Sequence, residues 1–377
     1  MKYTLAIITL IMSLVSSQAS EVQAPEVNKE HMDFSLRLLK TAITQNPKGN
    51  VILSPYSAGV AFSMLAEGAR NITKDGLVKA LSGGSYYGEL PRTDSLNIVK
   101  TANSIWLNAG FVAKNDYISA LENGYGAQLF AVDRGDAFDA SSVNMWCAYH
   151  TEGLIPEIVS DIGPEVRMML LNALYFKAPW LFDFDPNASF EGTFQGEDGQ
   201  SSAMYMSNQN KYPYAELPGY KVASLPYQNG KYAMLIVLPD DMDAATEELS
   251  AENFEDALLS LRTGRDVRMV LPKFKLEYTR LLNDIMCSLG AAAAFGSGAD
   301  FTGITDEPVF VTKAFQKCVL EVNEEGSEAA AVTAILMGRT AVYEPVVDFV
   351  VNKPFFFAIY DIQSRAILFE GKIATLK

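Results

Sequence analysis

Histidine is the scarcest candidate catalyst in this chain, with only His31 and His150 among 377 residues. A hydrolase of the Ser-His-Asp kind needs a histidine to take the nucleophile's proton, and zinc sites lean on imidazole ligands. Neither histidine lies in a His-Glu-x-x-His motif, and the chain has no Gly-x-Ser-x-Gly elbow and no phosphate loop. Both fall in helix-like segments and read as surface or satisfied polar groups. Cys147, Cys287 and Cys318 are an odd set at wide spacing, which is not a disulfide framework. They read as small buried hydrophobes, with one bridge left open. The sequence assigns no catalytic residue, metal ligand or cofactor, and the chain does not read as an enzyme.

The stretch that does call for a chemical account is Glu324-Glu-Gly-Ser-Glu-Ala-Ala-Ala-Val-Thr-Ala334, continuing through Met337 into Gly338-Arg339-Thr340-Ala341. With period two, Ser327, Ala329, Ala331, Thr333, Ile335 and Met337 share one face, and that face carries no charge. Glu328, Ala330, Val332, Ala334 and Leu336 share the other. Such a segment suits a strand with one buried side, yet alanine is a weak strand former and loop residues follow. A segment that fits both an exposed loop and an inner strand points to a conformational switch. An alanine-rich helix is the bland alternative, and Gly326 and Thr333 weaken it.

The elements needed to position this segment come from the rest of the chain. Lys2, the apolar run Leu5 to Val15 and the small residues Ser17-Gln18-Ala19 read as a secretory signal over residues 1–19. The run is too short to span a bilayer. Residues 20–377 are then expected to form one exported, soluble domain. A hydrophobic fraction of 49% fills a substantial core, and a net charge of −15 disfavours nucleic acid and anionic membranes as partners. Asn71-Ile-Thr73 and Asn187-Ala-Ser189 are glycosylation sequons if the host modifies them.

Met32, Leu36, Leu39 and Ile43 keep helical spacing, so 28–45 reads as a helix, and Ser54-Pro55 opens another through Ala69. Residues 73–81, 114–121, 143–158, 251–261 and 279–289 also read as helices. Strands are expected at 51–53, 102–107, 168–177, in short pieces over 194–238, around 267–278, and in an apolar C-terminal hairpin from Phe355 to Phe369. Helices come mainly early and strands mainly late, with no repeats. That pattern predicts one α+β domain with large mixed sheets.

With these pieces in order, the chain resembles the serpin family along nearly all of the segment after the signal. The matching stretches are Asn50-Val-Ile-Leu-Ser54-Pro55-Tyr-Ser57, Asn103-Ser-Ile-Trp106, Leu171-Asn172-Ala-Leu-Tyr-Phe-Lys177 with Trp180, Leu271-Pro-Lys-Phe274, Ala299-Asp-Phe301-Thr-Gly-Ile304 and Asn352-Lys-Pro-Phe355. Each alone is weak; six in order, with the Glu324–Ala331 segment, are specific. The resemblance implies a fold of three β-sheets, a large central sheet A, eight to nine helices and an exposed reactive-centre loop at about 324–345. It implies a single-use inhibitor. A serine protease (with cysteine proteases as a second target class) attacks the loop, forms an acyl-enzyme, and is trapped as the cut loop inserts into sheet A. The implied state is a monomer able to form loop–sheet polymers. A non-inhibitory carrier on the same fold is the alternative.

The resemblance makes Glu324, Gly326, Ser327, Glu328, Ala329, Ala330 and Ala331 the hinge. It makes Ser54, Ser57, Asn172, Trp180 and Gln316 the shutter and breach. Small hinge residues can slip between strands without overpacking. Non-inhibitory relatives tend to carry bulky or charged ones. Counting seventeen residues from Glu324 puts the reactive bond at Thr340–Ala341, suited to an elastase-like protease. Arg339–Thr340 is the alternative, suited to a trypsin-like pocket that pairs the guanidinium with a carboxylate. Gln316 stands where the family often has histidine, so pH control through an imidazole is not expected there.

Overall fold

The computed structural model describes residues 28–86, 98–108, 111–131, 139–163, 165–228, 230–326 and 345–376. The described residues form eight α-helices and three β-sheets. The first helix, α1 (Lys29–Gln45), starts where the Asn28 side chain accepts from the His31 amide. Its apolar stripe of Met32, Leu36, Leu39 and Ile43 is buried as the spacing predicts. Strand β1 (Val51–Leu53) leads into α2 (Pro55–Gly68), which is buried almost all round and capped by Ser54. Then come α3 (Asn71–Ala80), β2 (Ile98–Leu107), α4 (Asn115–Tyr125), β3 (Gln128–Ala131), α5 (Ala140–His150) and β4 (Met168–Lys177). A run of strands follows: β5 (Phe190–Gly196), β6 (Gly199–Asn210), β7 (Tyr214–Leu217), β8 (Tyr220–Pro226) and β9 (Tyr232–Pro239). Helices α6 (Met242–Glu247) and α7 (Ala251–Ser260) precede β10 (Val267–Pro272), β11 (Phe274–Leu281) and the short α8 (Asn283–Met286). The chain ends with β12 (Val311–Val322), β13 (Val347–Val350), β14 (Phe355–Asp361) and β15 (Ile367–Ile373).

The sheets have strand orders β1-β15-β14-β9-β8-β7, β13-β10-β6-β5 and β11-β12-β4-β2-β3. The last carries the longest central strands and matches the expected sheet A. At its centre β12 and β4 are hydrogen-bonded as a parallel pair, from Val311↔Met168 to Val319↔Tyr175. Their other neighbours, β11 and β2, run antiparallel to them. On β4, Leu170, Leu174 and Phe176 face the main core, while Met169, Leu171 and Ala173 face Val143 and Cys147 of α5. Burial on both faces explains its near-continuous apolar run.

Two helices differ from the sequence reading. The 143–158 helix ends at His150, where Glu152 and Gly153 take φ of 53° and 80°. The left-handed turn at Gly153 is the helix stop that the apolar spacing concealed. The 279–289 helix starts later, because β11 runs on to Leu281 against Phe315 of β12. Only then does the Asn283 amide take over, donating to the Thr312 carbonyl at 2.8 Å and accepting from the Ala314 amide at 2.9 Å, and the chain turns helical.

Candidate shutter and breach site

Five amide and hydroxyl side chains lock the centre of the long sheet to the start of α2. Gln316 on β12, Asn172 on β4 and Asn103 on β2 lie in one rung across three neighbouring strands. The Gln316 amide donates to the Ser54 carbonyl (2.9 Å) and to Asn172 Oδ1 (2.9 Å), and its Oε1 accepts from the Ser54 amide (3.0 Å). The Asn172 amide donates to the Ser57 carbonyl (2.9 Å), to the Ser57 hydroxyl and to Asn103 Oδ1 (2.5 Å). Ser54 accepts from the Ser57 amide at 3.1 Å as the helix cap. Every member is at most 5% exposed, so each broken bond leaves a buried polar atom to satisfy.

The structure thus brings Ser54, Ser57, Asn172 and Gln316 together as the sequence reading grouped them. It adds Asn103, which that reading quoted without a role; only the strand register reveals it. We expect Asn172→Ala to cost about 2–4 kcal/mol, because it leaves Gln316 Nε2 with one acceptor instead of two and takes the donor from the Ser57 groups and Asn103 Oδ1 together. Thermal unfolding measures this, and an unchanged Tm contradicts it.

The fifth residue, Trp180, sits apart, at the end of β4. Its ring stacks on Tyr227 (centroids 4.6 Å apart), and its indole N–H donates to the Asn323 carbonyl at 2.9 Å. Backbone bonds tie the same region to the hinge: the Trp180 amide to Glu325 O (3.2 Å) and the Phe184 amide to Glu324 O (3.1 Å). Gly326 closes the turn with φ 95°, and a Cβ there would meet the Ala178 carbonyl oxygen at 2.4 Å. Both the left-handed backbone and the close approach demand glycine.

Glu324 is almost fully buried, with its carboxylate on Lys273 Nζ (2.8 Å) and the Ser189 hydroxyl (2.5 Å). Burial pushes its carboxyl up, but the hydrogen bonds from Lys273 and Ser189 outweigh that and hold it below its ordinary value. Lys273 and Ser189 were not foreseen: nothing in sequence spacing places β5's approach and the β10–β11 junction beside the hinge. A depressed carboxyl stabilises the fold above its unfolded value, and that contribution is lost as pH falls through the lower folded one. We therefore expect the hinge turn to loosen as pH falls below the ordinary glutamate range and through the lowered folded value, read as the appearance of loop–sheet polymers on native gels. Lys273→Met should bring the same behaviour to neutral pH. A polar cleft of about 640 Å³ opens here, lined by Tyr175, Lys177, Ser189, Lys273, Glu321 and Glu324.

The remaining hinge residues Ser327, Glu328, Ala329, Ala330 and Ala331, and the reactive-bond residues Arg339, Thr340 and Ala341, lie outside the described residues, as does the signal segment 1–19. The two histidines are structural. His31 stacks on Tyr86 and donates to Ser85 O at 3.0 Å, and His150 donates to Trp146 O at 2.9 Å. All three cysteines are free thiols. Burial pushes Cys147 up to about 12, and Cys318 is also raised by burial, so neither offers a thiolate. Cys287 is only half-buried, less enclosed than the sequence reading had it. Among the described residues no His, Cys, Asp and Glu cluster could hold a metal. No described helix is long and apolar enough to cross a membrane.

A mixed sheet whose central pair is parallel, locked by one buried amide rung and topped by a glycine turn leading out of β12, defines a structural class. The comparisons name that class. The family profile described as "Serpin (serine protease inhibitor)" matches residues 29–376. The chain belongs to the serpin family, whose profile and relatives are named for protease inhibition and not for an enzymatic activity. It is 34% identical to Serpin-ZXA of Oryza sativa subsp. japonica, across 90% of this chain and 95% of that protein. It is 32% identical to the leukocyte elastase inhibitor of Sus scrofa, across 91% and 97%. Among solved structures, the thermophilic serpin tengpin in its native state superposes with a TM-score of 0.83 at 29% identity, covering 92% of this chain and 94% of tengpin.

Proposed function

We propose that this chain is an exported suicide-substrate inhibitor of serine proteases. The observation that carries the reading is the direct parallel pairing of β12 with β4. The chain leaves β12 through the Gly326 turn, so a segment folding back into the sheet from there runs antiparallel to β12. Because β4 is parallel to β12, it runs antiparallel to β4 as well. Insertion therefore replaces one parallel ladder, the weaker kind, with two antiparallel ones. The small, uncharged face from Ser327 to Ala331 fits the gap, and Ile335 and Met337 each bury an apolar side chain for ~1.5–3 kcal/mol. Fixing the loop backbone costs ~1–2 kcal/mol per residue, against ~1 kcal/mol for each ladder bond gained. Side-chain fit and the better ladder decide the balance.

The protease's serine attacks the Thr340 carbonyl, the Ala341 amine departs, and the acyl-enzyme is carried off as the loop inserts. The elastase inhibitor among the relatives supports the Thr340–Ala341 bond and an elastase-like target. Arg339–Thr340 remains the second reading of the bond, because a trypsin-like pocket would take arginine. Mass spectrometry of the C-terminal peptide released from a protease complex tests the choice. A peptide beginning at Ala341 supports the first, and one beginning at Thr340 overturns it. Export rests on residues 1–19, and the N-terminus of secreted protein from an expressing host checks it: we expect Ser20.

A further inference from the structure

The chain carries a net charge of −15, yet four exposed cations gather at one end of the β13-β10-β6-β5 sheet. Arg262, Arg265 and Arg268 lie where α7 gives way to β10, and Lys211 follows the last residue of β6. Strand pairing brings them together: Val267 of β10 stands between Asn210 of β6 and Val347 of β13. The Lys211 ammonium donates to the Gly264 carbonyl (3.2 Å), and the Arg262 guanidinium to the Leu259 and Leu261 carbonyls (2.7 and 2.9 Å). Bonds to neutral carbonyls orient these side chains and leave their charge in place. The acids beside them are fewer. Asp348 holds Arg268 at 2.7 Å, and Asp266 is exposed next to Arg265. Glu216 accepts from the Tyr214 hydroxyl (3.1 Å) and lies 3.7 Å from Lys221.

The position of the cluster points to its partner. The Val347 amide donates to the Asp266 carbonyl at 2.9 Å, so the chain enters β13 against the cluster itself. Val347 is six residues past Ala341, a reach of at most about 20 Å. A compact domain of roughly 200 residues has a radius of gyration of about 16 Å. A protease seated on Thr340–Ala341 or Arg339–Thr340 therefore overhangs these four side chains. We propose that Lys211, Arg262, Arg265 and Arg268 form a second docking surface for the target protease. It selects a protease that is acidic beside the half of its cleft receiving the residues after the cut bond. The proposal rests on the inhibitory reading and adds to it the partner's surface charge. Exposed charges of this kind act mainly on the rate of encounter and on its salt dependence. Screening over about 10 Å at 0.1 M salt lets the local cluster outweigh the distant acids of the rest of the chain. A protease that is basic at that place meets like charge and is turned away.

The test uses the full chain with anionic and cationic trypsin isoforms, which share a cleft for arginine and differ in surface charge. The readout is the second-order rate of loop attack, counting trapped and cleaved chain together. That sum reports encounter, while the trapped share reports insertion, so the proposal and the inhibitory reading fail separately. For the parent chain, attack by the anionic isoform should slow between low salt and about 0.15 M salt. A triple variant, Lys211→Gln, Arg262→Gln and Arg265→Gln, should lose about tenfold of that low-salt rate and most of its salt dependence. Its rate with the cationic isoform should not fall. Arg265→Glu alone, one exposed loop residue, should slow the anionic isoform severalfold, and it decides the matter if the triple variant melts below the parent. Equal losses against both isoforms, or no loss against the anionic one, overturn the proposal. So does an effect seen only with added dextran sulfate, which assigns the cluster to a soluble polyanion.

Discussion

Placing a charge at the first residue past the hinge turn, Ser327→Arg, is expected to convert the inhibitor into a substrate. The turn at Gly326 is held by Glu324 against Lys273 and Ser189, so the first residues to enter between β12 and β4 are those just beyond it. Ser327 belongs to the uncharged face of the segment. An arginine there must lose its hydration in the sheet without a partner, at an effective cost of several kcal/mol. Insertion then slows by orders of magnitude, since about 1.4 kcal/mol is a factor of ten in rate. Hydrolysis of the acyl-enzyme overtakes it. With elastase, the unaltered chain should give a covalent band that survives SDS. The variant should give cleaved chain, a covalent band at least tenfold weaker and fully recovered protease activity. A variant that traps protease as well as the parent contradicts the insertion account. Glu328→Ser, on the opposite face, should leave trapping intact.

Cutting the loop without a trapped protease should raise the melting temperature. Burying Ile335 and Met337 supplies roughly 3–6 kcal/mol together. At about 2 °C per kcal/mol for a domain of this size, the expected rise is on the order of 10 °C, and the exchange of a parallel ladder for two antiparallel ones adds to it. Insertion must also displace the packing of α5, whose Val143 and Cys147 rest on Met169, Leu171 and Ala173 of β4. That cost sets the barrier more than the end point. A protein used only as a carrier, with a loop that stays out of the sheet, shows no rise. Scanning calorimetry before and after limited proteolysis separates the two.

How much of this was legible in the sequence depends on whether local or distant contacts decide each element. Strand β4 could be read at its full length, 168–177, because burial on both faces leaves an uninterrupted apolar run. The Ser54-Pro55 start of α2 was equally plain, since a cap acts within three residues. The end of β11 was not. Thr279 to Leu281 are strand only because β12 lies alongside, and the apolar spacing of Leu282, Ile285, Met286 and Leu289 drew the helix too far back. The shutter shows the same division. Ser54, Ser57, Asn172 and Gln316 came from matched motifs, whereas Asn103 and the Lys273–Glu324 pair depend on strand register and on the meeting of β5, β10 and the hinge.

The central claim is that the severed loop enters the sheet between β12 and β4. The distance between those strands tests it most directly, read by crystallography of loop-cleaved protein at the Gln316–Asn172 rung. In the intact chain the two are hydrogen-bonded neighbours, one strand spacing of about 4.8 Å apart. After cleavage the account predicts two spacings, about 9.6 Å, with residues 327–337 paired antiparallel to both strands and the Gln316–Asn172 bond broken. An unchanged β12–β4 pair beside a cut loop left in solvent would contradict it.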